Sequence, residues 1–359
     1  MKKKTLFISS MLNVGNTGGG VVARRNQRVL RQILGEQNII TYNLTPWERT
    51  TNFSTIWNRF RRLLGCHLNG ASKKIEEDII SLINWDDIEC VFVDSSLNGI
   101  LIEKIKKSTS AKVIAFFHNC ETSLIRQGAM RGEKVGWLRY LPAYINEKKT
   151  VQYSDKILSL NVRDSDLLLK SYGREADCVI PVTLSDSEDA IPTESSPMHD
   201  KELLFVGSNF FPNIEGACWF IKNILGQLEG WHLSIVGKGL SSVTFPDSLD
   251  YDVYSDVDSL APYYHRARAV VVPILSGGGM KVKVAEALKF GKQVFVTPEA
   301  YHGYEGIDSV IECQNSSDFI SGIKKLNETA FQHKSRETFL ERYSDSVAMK
   351  LFTELIDSL

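Results

Sequence analysis

The chain is short of several features that would direct it elsewhere. It has no basic excess: 42 lysines and arginines stand against 43 acidic residues, for a net charge of -1. Nucleic-acid binders usually carry a surplus of positive charge, so that class is disfavoured. No apolar run approaches the roughly 20 residues that cross a bilayer. The six cysteines, Cys66, Cys90, Cys120, Cys178, Cys218 and Cys313, are scattered and form no CxxC pair. That pattern argues against a metal cluster or disulfide framework and for reduced, mostly buried thiols. The amino terminus, MKKKTLFISSML, is basic then apolar, yet Asn13 and Asn16 interrupt it and a glycine loop takes the place of a cleavage site. It is read as the first strand of a cytoplasmic protein. A dinucleotide fingerprint is missing as well. Gly15, Gly18, Gly19 and Gly20 do not fit GxGxxG, and no acidic residue closes a second strand at the right distance, so a nicotinamide cofactor is disfavoured.

What is present is ordinary globular material, 43% hydrophobic and 24% charged over 359 residues, enough for two domains. The most informative stretch runs from Val270 to Gly303. Val270 to Ile274 reads as a buried parallel strand. The triplet Gly277 to Gly279 follows, then a helix with Val282, Ala285 and Leu288 at helical spacing. Gly291 stops that helix and Val294 to Val296 begins another strand. The glycine loop thus lies at the carboxyl end of a strand, where open α/β sheets bind ligands. Its amides, at a helix amino terminus, suit a diphosphate. Lys281 and Lys283 add positive charge and Glu286 a carboxylate one turn deeper. Two lysines so spaced cannot point the same way, so one is expected in solvent. A plain structural turn is the alternative.

The rest of the chain repeats this grammar. Thr5 to Ser9 is a strand, and a glycine loop through Gly18, Gly19 and Gly20 leads into a helix with Val21, Val22, Val29, Leu30 and Ile33 inside and Arg24, Arg25, Arg28 and Arg31 outside. Asn38 to Leu44 is a second strand. Residues 46 to 85 are amphipathic, with Arg59, Arg61 and Arg62 beside Trp57, Phe60, Leu63 and Leu64; an anionic membrane surface or an ordinary solvated face fits that pattern, the second being favoured. Cys90 to Gly99 and Lys112 to Phe117 are strands, the latter ending in His118, Asn119, Cys120 and Glu121, polar groups at a strand terminus where substrate contacts are expected. Residues 137 to 153 suit a helix with Trp137, Leu141, Tyr144 and Ile145 inside and Glu147, Lys148 and Lys149 outside. A strand over Lys156 to Leu160, a helix ended by Gly173 and a short strand from Cys178 complete the first half. The acid pairs Asp164/Asp166 and Asp256/Asp258 sit where aspartate caps helices, which is preferred to a metal site.

These signals set boundaries. An α/β domain spans residues 1–183, a Ser/Pro/acid-rich linker 184–200 and a second α/β domain 201–336, with a C-terminal helix over 337–359 expected against the first domain. The ligand is expected in a cleft between the two α/β domains.

The segments LLFVGSNFFPNIEGACWFI, LSIVGKG and YYHRARAVVVPILSGGGMKVKVAEALKFGKQVFVTPEAYHG resemble the retaining glycosyltransferases of the bacterial "glycosyl transferases group 1" family. The resemblance covers most of the second half and implies the GT-B fold, two Rossmann-like doubly wound domains. It implies that Glu286 accepts from the ribose hydroxyls of a nucleotide sugar. Gly277, Gly278 and Gly279, with Met280 beside them, would meet the donor diphosphate and sugar, and Lys281 or Lys283 would offset its charge. Gly207, Ser208, Gly237 and Lys238 would line the nucleotide side. His118 would face the transferred sugar, and Gly18 to Gly20 would form a loop beneath the reaction centre, with Asn119, Glu121 and Arg126 on the acceptor side.

The implied reaction moves a sugar to a hydroxyl of a glycan or lipid-linked acceptor with retention, in surface polysaccharide assembly. It needs no metal and no cofactor beyond the nucleotide-sugar co-substrate. The sequence departs from the family at two places. Gly278 stands where many members have a glutamate eight positions before Glu286, and Asn209 to Asn213 (NFFPN) replaces a basic pair. A non-catalytic nucleotide-sugar binder or partner subunit, and a sugar-nucleotide epimerase, are the alternatives. Peripheral association with the inner face of the cell membrane and the oligomeric state stay open.

Overall fold

The computed structural model describes residues 4–15, 17–45, 66–131, 136–192, 201–247, 250–326 and 331–359. They fall into two compact units, one of Met1–Pro181 with Ala348–Leu359 and one of Val182–Val347.

The first unit alternates β1 (Thr5–Ser9), α1 (Gly18–Leu34), β2 (Ile39–Asn43), α2 (Lys73–Trp85), β3 (Cys90–Val93), α3 (Gly99–Ser108), β4 (Lys112–Phe117), α4 (Glu121–Met130), α5 (Gly136–Tyr153), β5 (Lys156–Ser159), α6 (Val162–Tyr172) and β6 (Cys178–Val179). Its strands pair in parallel in the order β2-β1-β3-β4-β5-β6. Every residue of β1 and β3 is buried, because helices cover both faces of such a sheet. The strand order reverses between β1 and β3, which opens a crevice at their carboxyl ends.

The second unit runs β7 (Glu202–Val206), α7 (Phe211–Asn223), β8 (His232–Gly237), β9 (Tyr251–Ser255), α8 (Ala261–Arg266), β10 (Ala269–Val272), α9 (Val282–Lys289), β11 (Gln293–Val296), α10 (Pro298–Tyr301), β12 (Val310–Glu312), α11 (Ser316–Lys324) and α12 (His333–Arg342). Its parallel order is β12-β11-β10-β7-β8-β9, so the reversal falls between β7 and β10. The final helix, α13 (Asp345–Asp357), starts in this unit and ends in the first. There Phe352 packs against Phe92 with ring centres 5.9 Å apart.

Several sequence readings are corrected. Gly18, Gly19 and Gly20 are not loop but the first turn of α1, capped by Thr17, whose hydroxyl accepts from the Gly20 amide at 3.2 Å. Glycine is needed there for space: a Cβ on Gly20 would stand 2.8 Å from the Gly15 carbonyl oxygen. Arg25 is buried rather than exposed, its guanidinium lying between Phe116 and Phe352 and donating to the Pro181 carbonyl. Trp137 and Leu141 face out and Glu147 faces in. A hydrophobic count along α5 puts its stripe on the wrong side, because polar demands of α4 decide which face is inside. The strand expected over Val270 to Ile274 ends at Val272. The C-terminal segment is two helices broken at Tyr343 and Ser344. Within the expected linker, Leu184 pairs with Ser344 and Glu188–Ala190 forms a 3-10 turn. The amphipathic residues from Trp57 to Leu64 and linker residues 193–200 lie outside the described residues.

Candidate functional site

In the second unit the reversal point between β7 and β10 is built from backbone in contact with backbone. The Gly207 amide donates to the Val236 carbonyl at 2.9 Å, and a Cβ on Gly237 would sit 2.0 Å from the Gly207 oxygen. On α7, a Cβ at Gly216 would lie 2.3 Å from the Pro273 oxygen, so the segment after β10 rests directly on that helix. Thr297 Oγ1 holds it from the other side through the Ile274 carbonyl.

The glycine triplet follows from these restraints. Gly277 has φ 142° and Gly279 φ 59°, conformations that side-chain-bearing residues rarely adopt. Lys281 closes the loop on itself: its ammonium donates to the Gly278 carbonyl at 3.0 Å, to that of Gly279 at 3.4 Å, and to Glu299 Oε1 at 2.9 Å. Met280 is buried against Gly303. Among the described residues the amides of Gly277 and Gly278 have no protein acceptor.

Neither lysine is simply solvated. Lys283 donates to Asn213 Oδ1 at 2.7 Å and lies 4.5 Å from the centre of the Phe205 ring. Burial, aided by the Lys281 charge and opposed by Glu286, pushes its pKa down to about 7. Asn213 in turn donates to the Ser208 carbonyl at 3.0 Å, so NFFPN reaches the site through its last residue. Glu286 accepts from Tyr264 Oη at 3.0 Å. Burial holds its carboxyl above the usual carboxylate range, against the pull of Tyr264, Lys289 and Lys283. Lys238 is exposed, and its carbonyl accepts from the Asn209 amide at 2.8 Å. Half-buried loop amides, with a lysine in the helical turn that follows and a carboxylate one turn deeper, suit a polyanion attached to a hydroxyl-bearing group.

The first unit has its own polar centre at the β1/β3 reversal. Asp94, fully buried at the end of β3, accepts from Ser9 Oγ at 2.8 Å, Asn26 Nδ2 at 2.9 Å and His118 Nε2 at 3.0 Å. Burial alone would depress the His118 imidazole, but Asp94 outweighs it and the pKa stands above the ordinary value. Its Nδ1 is buried with no partner among the described residues. Asn119 donates to Glu121 at 2.9 Å, and burial raises the Glu121 carboxyl. Arg126 is exposed on α4.

Sequence reasoning missed Asp94, Asn26, Asn213, Tyr264 and Glu299. The available signal for Asp94 was an aspartate directly after the apolar strand CVFV; the others are polar residues on helices or loops that only the fold brings in. The acid pairs behave as local restraints. Asn161 caps α6 by accepting from the Asp164 amide at 2.8 Å, and Asp256 accepts from the Gly239 amide at 3.1 Å. Among the described residues no cluster of three or more His, Cys, Asp or Glu is placed to hold a metal ion.

Residues 200–329 match the family model described as Glycosyl transferases group 1. The curated proteins include no match to the chain. Among solved structures, a sucrose-phosphate synthase from Thermosynechococcus elongatus superposes with TM-score 0.69 at 14% identity, covering 99% of this chain and 100% of that one. A lipopolysaccharide outer core galactosyltransferase, WaaB in its apo form, gives TM-score 0.63 at 13% identity, covering 99% of each chain. The Anabaena protein HepE, in complex with UDP and glucose, gives TM-score 0.69 at 8% identity, covering 99% of this chain and 100% of that one. The chain thus has the GT-B fold of glycosyltransferases, and residues 200–329 are similar to the glycosyl transferases group 1 family.

Proposed function

We propose that the protein transfers a glycosyl group from a nucleoside diphosphate sugar to a hydroxyl of a glycan or glycolipid acceptor, with retention of configuration, in bacterial surface polysaccharide assembly. The observation that carries the donor side is the division of labour between two lysines. Lys281 is held by Glu299 and two loop carbonyls, whereas Lys283 has a neutral partner, Asn213, and stands in the first turn of α9, directly after the loop. Lys283 is therefore assigned to the diphosphate and Lys281 to the shape of the loop.

In this reading the leaving diphosphate gathers charge as the glycosidic bond breaks, and the loop amides, the amino terminus of α9 and Lys283 stabilise it. Glu286, oriented by Tyr264, accepts from ribose hydroxyls. His118, held by Asp94, is assigned to the acceptor side. In this reading the only co-substrate is the nucleotide sugar. A solved relative of the same fold holds UDP and glucose, and another is a lipopolysaccharide galactosyltransferase, which favour a uridine donor and a surface-glycan acceptor.

The test is a thermal-shift screen of nucleoside diphosphate sugars followed by an assay of nucleotide release. A true donor at 100 times its Kd adds about 2.7 kcal/mol of stability. Stabilisation without release, with or without acceptor sugars, would favour a non-catalytic binder instead.

A further inference from the structure

Both faces of a parallel sheet are ordinarily covered by helices and read as apolar. One face of the second unit's sheet departs from this at the amino-terminal ends of its strands, opposite the glycine loop that follows β10. Glu202 pairs in register with His232 and Ser234 with Asp252, and alternate residues of a strand share a face. Glu202, His232, Ser234, Asp252 and Tyr254 therefore all stand on one side. The helix before β10, α8, has six residues and is only about 9 Å long. At the sheet edge, β9 leaves the Asp252 side chain 61% exposed.

The result is a recess of about 600 Å³ lined by Lys201, Glu202, His232, Asp252, Tyr254 and Arg266. Buried Glu202 fixes one wall: its Oε1 accepts from Arg266 Nε at 2.7 Å and from Ser234 Oγ at 2.7 Å. Tyr254 and Tyr263 flank the same guanidinium, with ring centres 5.6 and 5.4 Å from its carbon. On the open side His232 Nε2 lies 3.1 Å from Asp252 Oδ2, and Lys201 donates to the Glu229 carbonyl at 3.3 Å. Two cations, Lys201 and Arg266, thus balance two carboxylates, Glu202 and Asp252. With His232 neutral, the recess has no net charge to draw in a phosphate or a cation. It offers donors and acceptors together beside a tyrosine ring. A sugar suits that surface, because each hydroxyl both donates and accepts and the C–H face of the ring packs on an aromatic one. The volume is that of a small-molecule site.

We propose that this recess binds a neutral carbohydrate, at the opposite end of the strands from the donor loop. The proposal goes beyond the transfer reaction and does not depend on it. The experiment titrates the full chain with maltotriose, cellotriose and lactose, following the His232 ring by nitrogen-15 NMR and affinity by calorimetry. At least one sugar is expected to shift the His232 resonances and to bind with a Kd of about 1 mM or tighter. His232→Ala and Tyr254→Ala, each checked for native circular dichroism, should weaken that binding at least about fivefold and leave stabilisation by UDP unchanged. Lys283→Ala, in the donor loop, should leave the sugar affinity as it is. Failure of all three sugars to bind, or binding that persists in both recess variants, overturns the proposal. So does a His232 ring that responds to inorganic phosphate and not to sugar.

Discussion

The ammonium of Lys283 sits 2.7 Å from Asn213 Oδ1 on one side and 4.5 Å from the centre of the Phe205 ring on the other, with no carboxylate among these contacts. Burial and the neighbouring Lys281 charge bring its pKa down to about 7. A diphosphate would raise that value in the complex, so binding takes up a proton in the window above about pH 7. Affinity for a nucleoside diphosphate is therefore expected to fall from pH 7 towards pH 9, by up to about tenfold per pH unit. Calorimetry in buffers of different ionisation heat reads the proton directly. A Lys283→Arg variant should lose this uptake, since guanidinium stays protonated throughout.

The two lysines should separate kinetically. Lys283→Ala removes a charge that counts most as the nucleotide leaves, so turnover should drop about 10²–10³-fold. Lys281→Ala instead frees Glu299 and the Gly278 carbonyl and lets the glycine loop relax. Its main effect should be weaker donor binding. Transfer that survives both substitutions unchanged would rule out this account of the loop.

Much of the second unit could be read from the sequence because its signals are local. An apolar run, three glycines and a helix with Ala285 and Leu288 inside imply one βαβ unit whatever the rest of the chain does. The partners of that loop could not be read. Asn213 and Glu299 reach Lys283 and Lys281 from 70 and 18 residues away, and no spacing rule connects them. In the first unit the glycine-rich entry to α1 looked like loop because glycine is a poor helix former. The close approach of Gly20 to the Gly15 carbonyl overrides that propensity. Arg25 and Glu147 were misplaced for a related reason: a charge is assigned to solvent by default, until the fold supplies partners inside.

Asp94 and His118 should betray their coupling through pH. The folded imidazole titrates above its ordinary value of 6.5 because Asp94, 3.0 Å away, outweighs the effect of burial. A raised folded pKa contributes stability that is fully present below the unfolded value and is lost as pH rises through the folded one. Asp94→Asn removes that contribution. The stability gap between wild type and Asp94→Asn should thus be widest below about pH 6.5 and narrow at higher pH. Denaturant melts across that range measure it, and nitrogen chemical shifts of His118 report the pKa independently. A gap that does not vary with pH would mean that Asp94 acts only as an acceptor for Ser9 and Asn26.

Glu147 makes the last prediction, one of stability. Its side chain is fully buried on α5 and accepts from the Glu121 amide at 2.8 Å, the Thr122 amide at 3.0 Å and Tyr172 Oη at 2.8 Å. Glu121 and Thr122 open α4, and Cys120 gives that helix no side-chain cap, so Glu147 does the capping from a neighbouring helix. The negative charge also lies at the positive end of the α4 dipole. Glu147→Gln keeps the shape but turns one oxygen into a donor, which faces an amide or hydroxyl that also donates. At least one buried group then goes unpaired, at about 1–3 kcal/mol. Tyr172→Phe removes one bond from the same carboxylate and should cost about 1 kcal/mol. Hydrogen exchange should localise the larger loss to the Glu121 and Thr122 amides. Because only Cys120 separates these residues from His118 and Asn119, the Glu147→Gln change should also disturb the His118 ring while leaving exchange around Gly277 to Lys283 unaltered.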